Sequence, residues 1–179
     1  MAIGSVIHTF TVSLADVDRG VYEELSLRTA QHPSETSVNL LMRVLAYALE
    51  YEEGIGFSEG ISATDEPAVH IKDLTGRLLA WIEVGAPDAA RLHTGSRAAE
   101  RTVVYTHREP QRLLTSWAGK TIHRSAEIIL YSFDRAVIED AATHLERRNT
   151  MTVSVTERQL YLDLNGATFT TEITAQQLP

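Results

Sequence analysis

The stretch Leu78-Leu79-Ala80-Trp81-Ile82-Glu83-Val84-Gly85 is a nearly continuous apolar run broken by one charge. A run of that length and composition is the pattern of a strand buried on both faces of a central sheet. It therefore decides the fold class, α/β, and places this segment near the middle of the sheet. Glu83 is the oddity within it, because an ionised carboxylate in a buried strand is costly unless it meets a cation, a metal or several hydrogen-bond donors. Two readings stand side by side. An arginine pairs with Glu83, or the strand end brings it to water; alternatively Glu83 belongs to a site. The second gains weight from the C-terminal end of the strand, where open α/β sheets place their ligands, and from Gly85, which allows close backbone approach there.

Working outward, Val38, Leu41, Met42, Leu45, Ala48 and Leu49 recur at helical spacing after Pro33-Ser34, which predicts a helix with Ser34 as N-cap and Glu35 in its first turn. Before it, Val6 to Leu14 and Val21 to Ala30 alternate around a turn at Asp16 to Gly20, the pattern of an antiparallel hairpin. Tyr51 to Gly76 is rich in Gly, Ser, Thr, Asp and Glu and reads as a functional loop with a short strand around Phe57 or Val69. Downstream, Pro87-Asp88 suits the start of a short helix carrying Arg91, Leu92, Arg97 and Ala98. Thr102 to Thr106 (strand), Glu109 to Ala118 (helix), Glu127 to Phe133 (strand) and Asp134 to Arg147 (helix) continue the α/β rhythm. The tail holds Thr152 to Val155, Gln159 to Leu164 and Thr168 to Ile173, separated by tight turns that include Asn165-Gly166, the signature of an antiparallel meander.

The 179 residues suit one domain, 1–179, able to bury a single core. A hydrophobic share of 44% against 22% charged is that of a folded globular chain. No segment is apolar enough to span a bilayer, and Met-Ala-Ile-Gly-Ser lacks a basic region followed by an apolar stretch, so no membrane is expected and the cytoplasm is the default location. The absence of cysteine excludes disulfides, thiolate nucleophiles and cysteine-held zinc. A net charge of −8 repels nucleic acid and anionic membrane on average. A local basic rim could still guide a polyanion to an acidic metal site.

The acidic turn Asp65-Glu66-Pro67 is the nearest companion for Glu83, and a loop and hairpin could bring the two together over one divalent ion. Such turns are more often plain turn-formers. The seven histidines are scattered without zinc-site spacing, and His32, beside Pro33 and Glu35, is the one to watch. Phosphate-loop, dinucleotide-binding and nucleophile-elbow motifs are all missing.

The blocks Ala30-Gln31-His32-Pro33-Ser34-Glu35-Thr36, Asp65-Glu66-Pro67, Lys72-Asp73-Leu74 with Gly76, Trp81-Ile82-Glu83-Val84-Gly85 with Pro87-Asp88, and Val103-Val104-Tyr105-Thr106 resemble the YaeQ family. They occur in the right order, and the first and fourth are specific. The resemblance implies a fold similar to the PD-(D/E)XK restriction-endonuclease-like core: a mixed β-sheet flanked by helices, here with the N-terminal hairpin and C-terminal antiparallel strands added. It implies a site built from a helix carboxylate, a loop acid and a strand acid, roles that would fall on Glu35, on Asp65 or Glu66, and on Glu83. In active members of that superfamily the carboxylates hold Mg²⁺ or Mn²⁺, and a lysine two residues after the strand acid activates or orients the attacking water. The metal supplies Lewis-acid activation and charge stabilisation at the phosphate.

This chain departs from the pattern. Gly85 stands where that lysine is expected, Ala68 where an acid follows Pro67, and Ala86 and Thr94 where an amide and a basic residue are expected. Lys72 or Arg91 would have to supply the cation from elsewhere, and arginine is a poor base because it stays protonated. Two functions follow. One is a Mg²⁺-dependent nuclease or phosphodiesterase, with Asp65, Glu66 and Glu83 as ligands, Glu35 assisting and Lys72 orienting water. The other is a non-catalytic binding or regulatory module on a nuclease-like scaffold, with nucleic acid at a local site or a protein partner on an edge strand.

Overall fold

The computed structural model describes residues 4–58 and 66–178. The predicted central strand is β5 (Leu78–Val84), and four of its seven residues are buried, Glu83 among them. Ahead of it run β1 (Val6–Asp16), β2 (Val21–Gln31), α1 (Ser37–Leu49), β3 (Ile55–Phe57) and β4 (Val69–Lys72). After it come α2 (Ala89–Ala98), β6 (Arg101–Thr106), α3 (Pro110–Trp117), β7 (Ile129–Ser132) and α4 (Arg135–Ala142). The chain ends in β8 (Arg148–Thr156), β9 (Gln159–Leu164), β10 (Ala167–Glu172) and β11 (Thr174–Gln177).

The strands form two mixed sheets, ordered β10-β9-β8-β1-β2 and β11-β7-β6-β5-β4-β3. The expectation of one mixed sheet is corrected here. The N-terminal hairpin and the C-terminal meander do not decorate the central sheet. They join each other, because β8 lies parallel to β1 with Thr9 opposite Arg148 and Asp16 opposite Val155. In the second sheet β3, β4 and β5 run antiparallel in turn, then β5, β6 and β7 run parallel, with α2 and α3 in the crossovers. β11 returns antiparallel to β7, and it lies beyond the last strand expected from the sequence, which ends at Ile173.

α1 lies inside this arrangement, which is why nine of its thirteen residues are buried. The main core gathers Phe10, Val12 and Leu14 of β1, Leu160 and Leu162 of β9, the apolar side chains of α1, and Ala80 and Ile82 of β5. The opposite face of the second sheet packs Val104 and Leu130 against Leu92 of α2 and Leu113 and Trp117 of α3. Period-two alternation puts Trp81 and Glu83 on one face of β5 and Ala80 and Ile82 on the other.

Three local boundaries differ from the sequence reading. Thr36, not Ser34, caps α1, its hydroxyl accepting the Asn39 N–H at 3.1 Å. The Ser34 hydroxyl instead meets His32 Nδ1 at 2.7 Å, so Glu35 precedes the helix rather than lying in its first turn. α4 ends at Ala142 because Asn149 ties down the turn before β8, accepting from the Glu146 N–H and donating to the Glu146 carbonyl. Asn165-Gly166 forms the expected two-residue hairpin with φ of 54° and 91°. Among the described residues no helix is long and apolar enough to cross a membrane.

Candidate functional site

The parallel strands β5, β6 and β7 end side by side, and beyond their C-terminal ends opens a cleft of about 580 Å³. Its floor is Glu83, Val84 and Gly85 at the end of β5. One wall comes from the first turn of α1 through Thr36, Val38 and Asn39, with Ser58, Pro67 and Ala68 beside it. The other wall is His107 and Arg108 after β6, with Arg135 and Glu139 on α4. This is the end of the sheet where crossover connections leave a crevice, and the N-terminus of α1 adds its positive dipole end there.

Glu83 is only 4% exposed, and the sequence oddity resolves into a structured pair. Arg91 Nε donates to Glu83 Oε1 at 2.9 Å, and Trp81 Nε1 donates to the same oxygen at 2.7 Å. The Arg91 guanidinium also lies 5.8 Å from the Trp81 ring centroid, a cation–π contact, and donates through Nη2 to the Glu66 carbonyl oxygen. Trp81 is held in turn by Gly95 of α2, where an added Cβ would stand 2.7 Å from the indole ring. Burial raises the Glu83 carboxyl above its ordinary pKa, against the downward pull of Arg91 and Trp81 and with a small upward push from Asp88.

Glu35 is enclosed even more completely. Arg43 grips it with two bonds, Nε to Oε2 at 2.7 Å and Nη2 to Oε1 at 2.8 Å, while Asn39 Nδ2 also donates to Oε2. The remaining Arg43 donors reach Thr29 Oγ1 and the Ala30 carbonyl, both at 2.9 Å. Arg43, the one charged residue between Leu40 and Leu49, was the sequence signal for this partner and was passed over.

Of the other sequence candidates, Glu66, Lys72 and His32 are among the described residues. Asp65 lies outside the described residues. Glu66 meets Arg91 through its backbone carbonyl, and its carboxylate is felt at His70, whose pKa falls through burial and Lys72 and is raised by Glu66. Lys72 pairs opposite Leu78, at the start of β5, whereas Glu83 stands near the strand's far end. His32 makes a local turn with Ser34 and does not line the cleft. At the position of the missing lysine, Gly85 has φ of +83°, a conformation that costs a lysine about 1–2 kcal/mol. Gly85 therefore marks a backbone built for glycine, and not merely a lost side chain.

Among the described residues no three His, Asp or Glu side chains come together as metal ligands. The donors that are described do not fit a hard divalent ion, which takes carboxylate oxygens free of competing cations. Both Glu35 oxygens lie on Arg43, and Glu83 Oε1 takes two donors. Four arginines against two glutamates line the cleft, so its local charge runs opposite to the chain's net −8.

The sequence reading also missed the His107 wall. Among the described residues, His107 Nδ1 and Ser58 Oγ are buried with no hydrogen-bond partner, and both residues border the cleft. Burial lowers the His107 pKa, Arg108 and Arg135 push the same way, and Glu139 opposes them. Arg135 Nε is bonded to Glu139 at 2.8 Å, and Arg108 has no ion-pair partner among the described residues. Histidine and arginine in a polar loop carry no pattern, so only the fold reveals this wall.

Solved structures share the fold over nearly the whole chain. The crystal structure of the YaeQ protein from Pseudomonas syringae is 31% identical, with a TM-score of 0.87 over 97% of this chain and 96% of that one. The YaeQ protein from Xanthomonas axonopodis pv. citri is 26% identical, with a TM-score of 0.88 over 98% of this chain and 99% of that one. Uncharacterized protein YaeQ of Escherichia coli strain K12 is 26% identical over all of this chain and 99% of its own length. The family model described as YaeQ protein matches residues 1–173, and the chain belongs to that family.

Proposed function

We propose that this chain is a binding module on a nuclease-like scaffold, and that its cleft holds a phosphate-bearing anion without turning it over. The observation that carries this reading is the way the two acids are closed. Glu83 and Glu35 each have an arginine of their own, so neither presents a bare carboxylate, while Arg108 and the unpartnered His107 Nδ1 face the opening. Arginine is the side chain best suited to phosphate oxygens, through its planar fork of donors. The likeness to the PD-(D/E)XK core is supported by a mixed sheet with helices on both faces, an acid at the head of α1 and an acid near the end of β5.

The second reading, a Mg²⁺- or Mn²⁺-dependent nuclease or phosphodiesterase, is favoured by the nearness of Glu83 to a cleft wide enough for a phosphate group. It requires Arg91 to release Glu83, Asp65 and Glu66 to serve as ligands beside it, and Lys72 or another cation to reach the water. Titrating inorganic phosphate into wild type and Arg108→Ala, and incubating wild type with DNA and RNA under each divalent ion, separates the two. The binding reading expects a phosphate affinity that falls about tenfold in Arg108→Ala, equivalent to 1.4 kcal/mol, and intact nucleic acid. Metal-dependent cleavage that disappears in Glu83→Ala would overturn it.

A further inference from the structure

We propose that the Arg108 wall of the cleft selects a small dianionic phosphomonoester over a phosphodiester. The inference rests on the anion-binding reading above and narrows it to one ligand class. A phosphomonoester presents three terminal oxygens bearing close to two negative charges near neutral pH, whereas a diester presents two such oxygens and one charge. The wall offers three nitrogen-bearing side chains, His107, Arg108 and Arg135. Arg135 is already bonded to Glu139 through Nε, which fixes it along α4 beside the opening. His107 Nδ1 is buried and unpartnered, so a ligand oxygen arriving there relieves an unsatisfied group.

The rest of the molecule points the same way. The net charge of −8 opposes any phosphates that extend beyond the cleft, so a short ligand is preferred to a length of polyanion. A volume of about 580 Å³ lies in the range of small-molecule sites. Across the cleft, Ser58 Oγ is a second buried atom without a partner among the described residues, placed to meet a polar group on the organic part of the ligand.

His107 also makes the preference readable by pH. The charges that act on it are Arg108 from its own loop and Arg135 and Glu139 from α4. Burial and the two arginines keep it neutral, and a bound dianion draws a proton onto it. Sulfate, whose charge is constant between pH 5.5 and 8, isolates this effect from the ligand's own titration.

The test is calorimetric titration of the full chain with phenyl phosphate, its methyl diester, a single-stranded oligonucleotide and sulfate, using wild type, His107→Asn and Arg108→Ala. Phenyl phosphate is expected to bind at least about tenfold more tightly than the diester at pH 7.5, a difference of 1.4 kcal/mol. His107→Asn and Arg108→Ala should each erase most of that preference, and sulfate should tighten as pH falls in wild type but not in His107→Asn. Arg108 is exposed, so its variant should keep the wild-type melting temperature and report binding alone. Diester or oligonucleotide binding as tight as phenyl phosphate, or a preference untouched by both variants, overturns this inference and leaves the anion cleft standing. Failure of every probe to bind overturns both.

Discussion

Glu35–Arg43 and Glu83–Arg91 are the same chemical pair in two settings. Around the first, the side chains are 0% and 4% exposed, and the arginine spends its donors on the glutamate, Thr29 and Ala30. In the second, the glutamate is 5% exposed but the arginine is 25% exposed, at the edge of the cleft. Arg43 borders the cleft, but its donors are committed to Glu35, Thr29 and Ala30, so this pair holds α1 against β2. A pair with one partner at an opening can rearrange around a ligand. On the binding reading proposed above, Glu35 serves the architecture and Glu83 the floor of the site, whereas the family resemblance implied that both belong to one metal-binding framework.

The largest effect that could break this contrast is Glu35→Ala. It strands the Arg43 charge among buried groups and should cost about 3–5 kcal/mol in chemical denaturation. Glu83→Ala should cost less, about 1.5–3 kcal/mol, because Arg91 can turn toward solvent. Equal losses would erase the distinction between the two pairs.

Gly85→Lys comes next. It places a lysine where the proposed nuclease-like likeness would expect one, at a position with φ of +83°, and should cost about 1–2 kcal/mol without creating metal-dependent cleavage. Cleavage of DNA or RNA by this variant would show that the scaffold lacks only that side chain.

Trp81→Phe sharpens the comparison from the other side. It keeps most of the ring against Gly95 but removes the donor to Glu83 Oε1, a loss of about 1 kcal/mol in thermal melting. Combined with Glu83→Ala, the two changes should be less than additive, since both remove the same bond. A fully additive pair would mean that the indole acts by packing alone.

The smallest effect is pH-dependent. His107 has a lowered pKa in the folded chain, so the unfolded chain binds its proton first as pH falls. The stability this histidine contributes is intact above its ordinary value of 6.5 and is lost progressively below it, down to its lowered folded value. His107→Asn should flatten that part of the stability profile, and a bound anion should flatten it in wild type. A wild-type profile that already matches His107→Asn between pH 5 and 7 would remove His107 from the account.

The legible parts of this molecule are those whose information is local. Val38 to Leu49 announces α1 through its spacing, Leu78 to Val84 announces β5 through its apolar run, and Asn165-Gly166 announces a hairpin through its turn chemistry. Glu83 stood out because a charge in such a run demands a partner, and Arg91, eight residues on, was already named as a nearby cation. The sheet that joins the N-terminal hairpin to the C-terminal strands was not legible, because the pairing of Thr9 with Arg148 joins residues far apart in sequence, and either strand alone looks like an ordinary edge. Nor was the His107 wall. Its members come from the loop after β6 and from α4, and they acquire meaning only where three parallel strands end together.

The most direct test of the central claim is a calorimetric titration of inorganic phosphate into wild type, Arg108→Ala and Glu83→Ala, once with EDTA and once with Mg²⁺. The account predicts that wild type binds phosphate equally well in both conditions and that Arg108→Ala loses about tenfold in both. Binding that appears only with Mg²⁺ and vanishes in Glu83→Ala would contradict it.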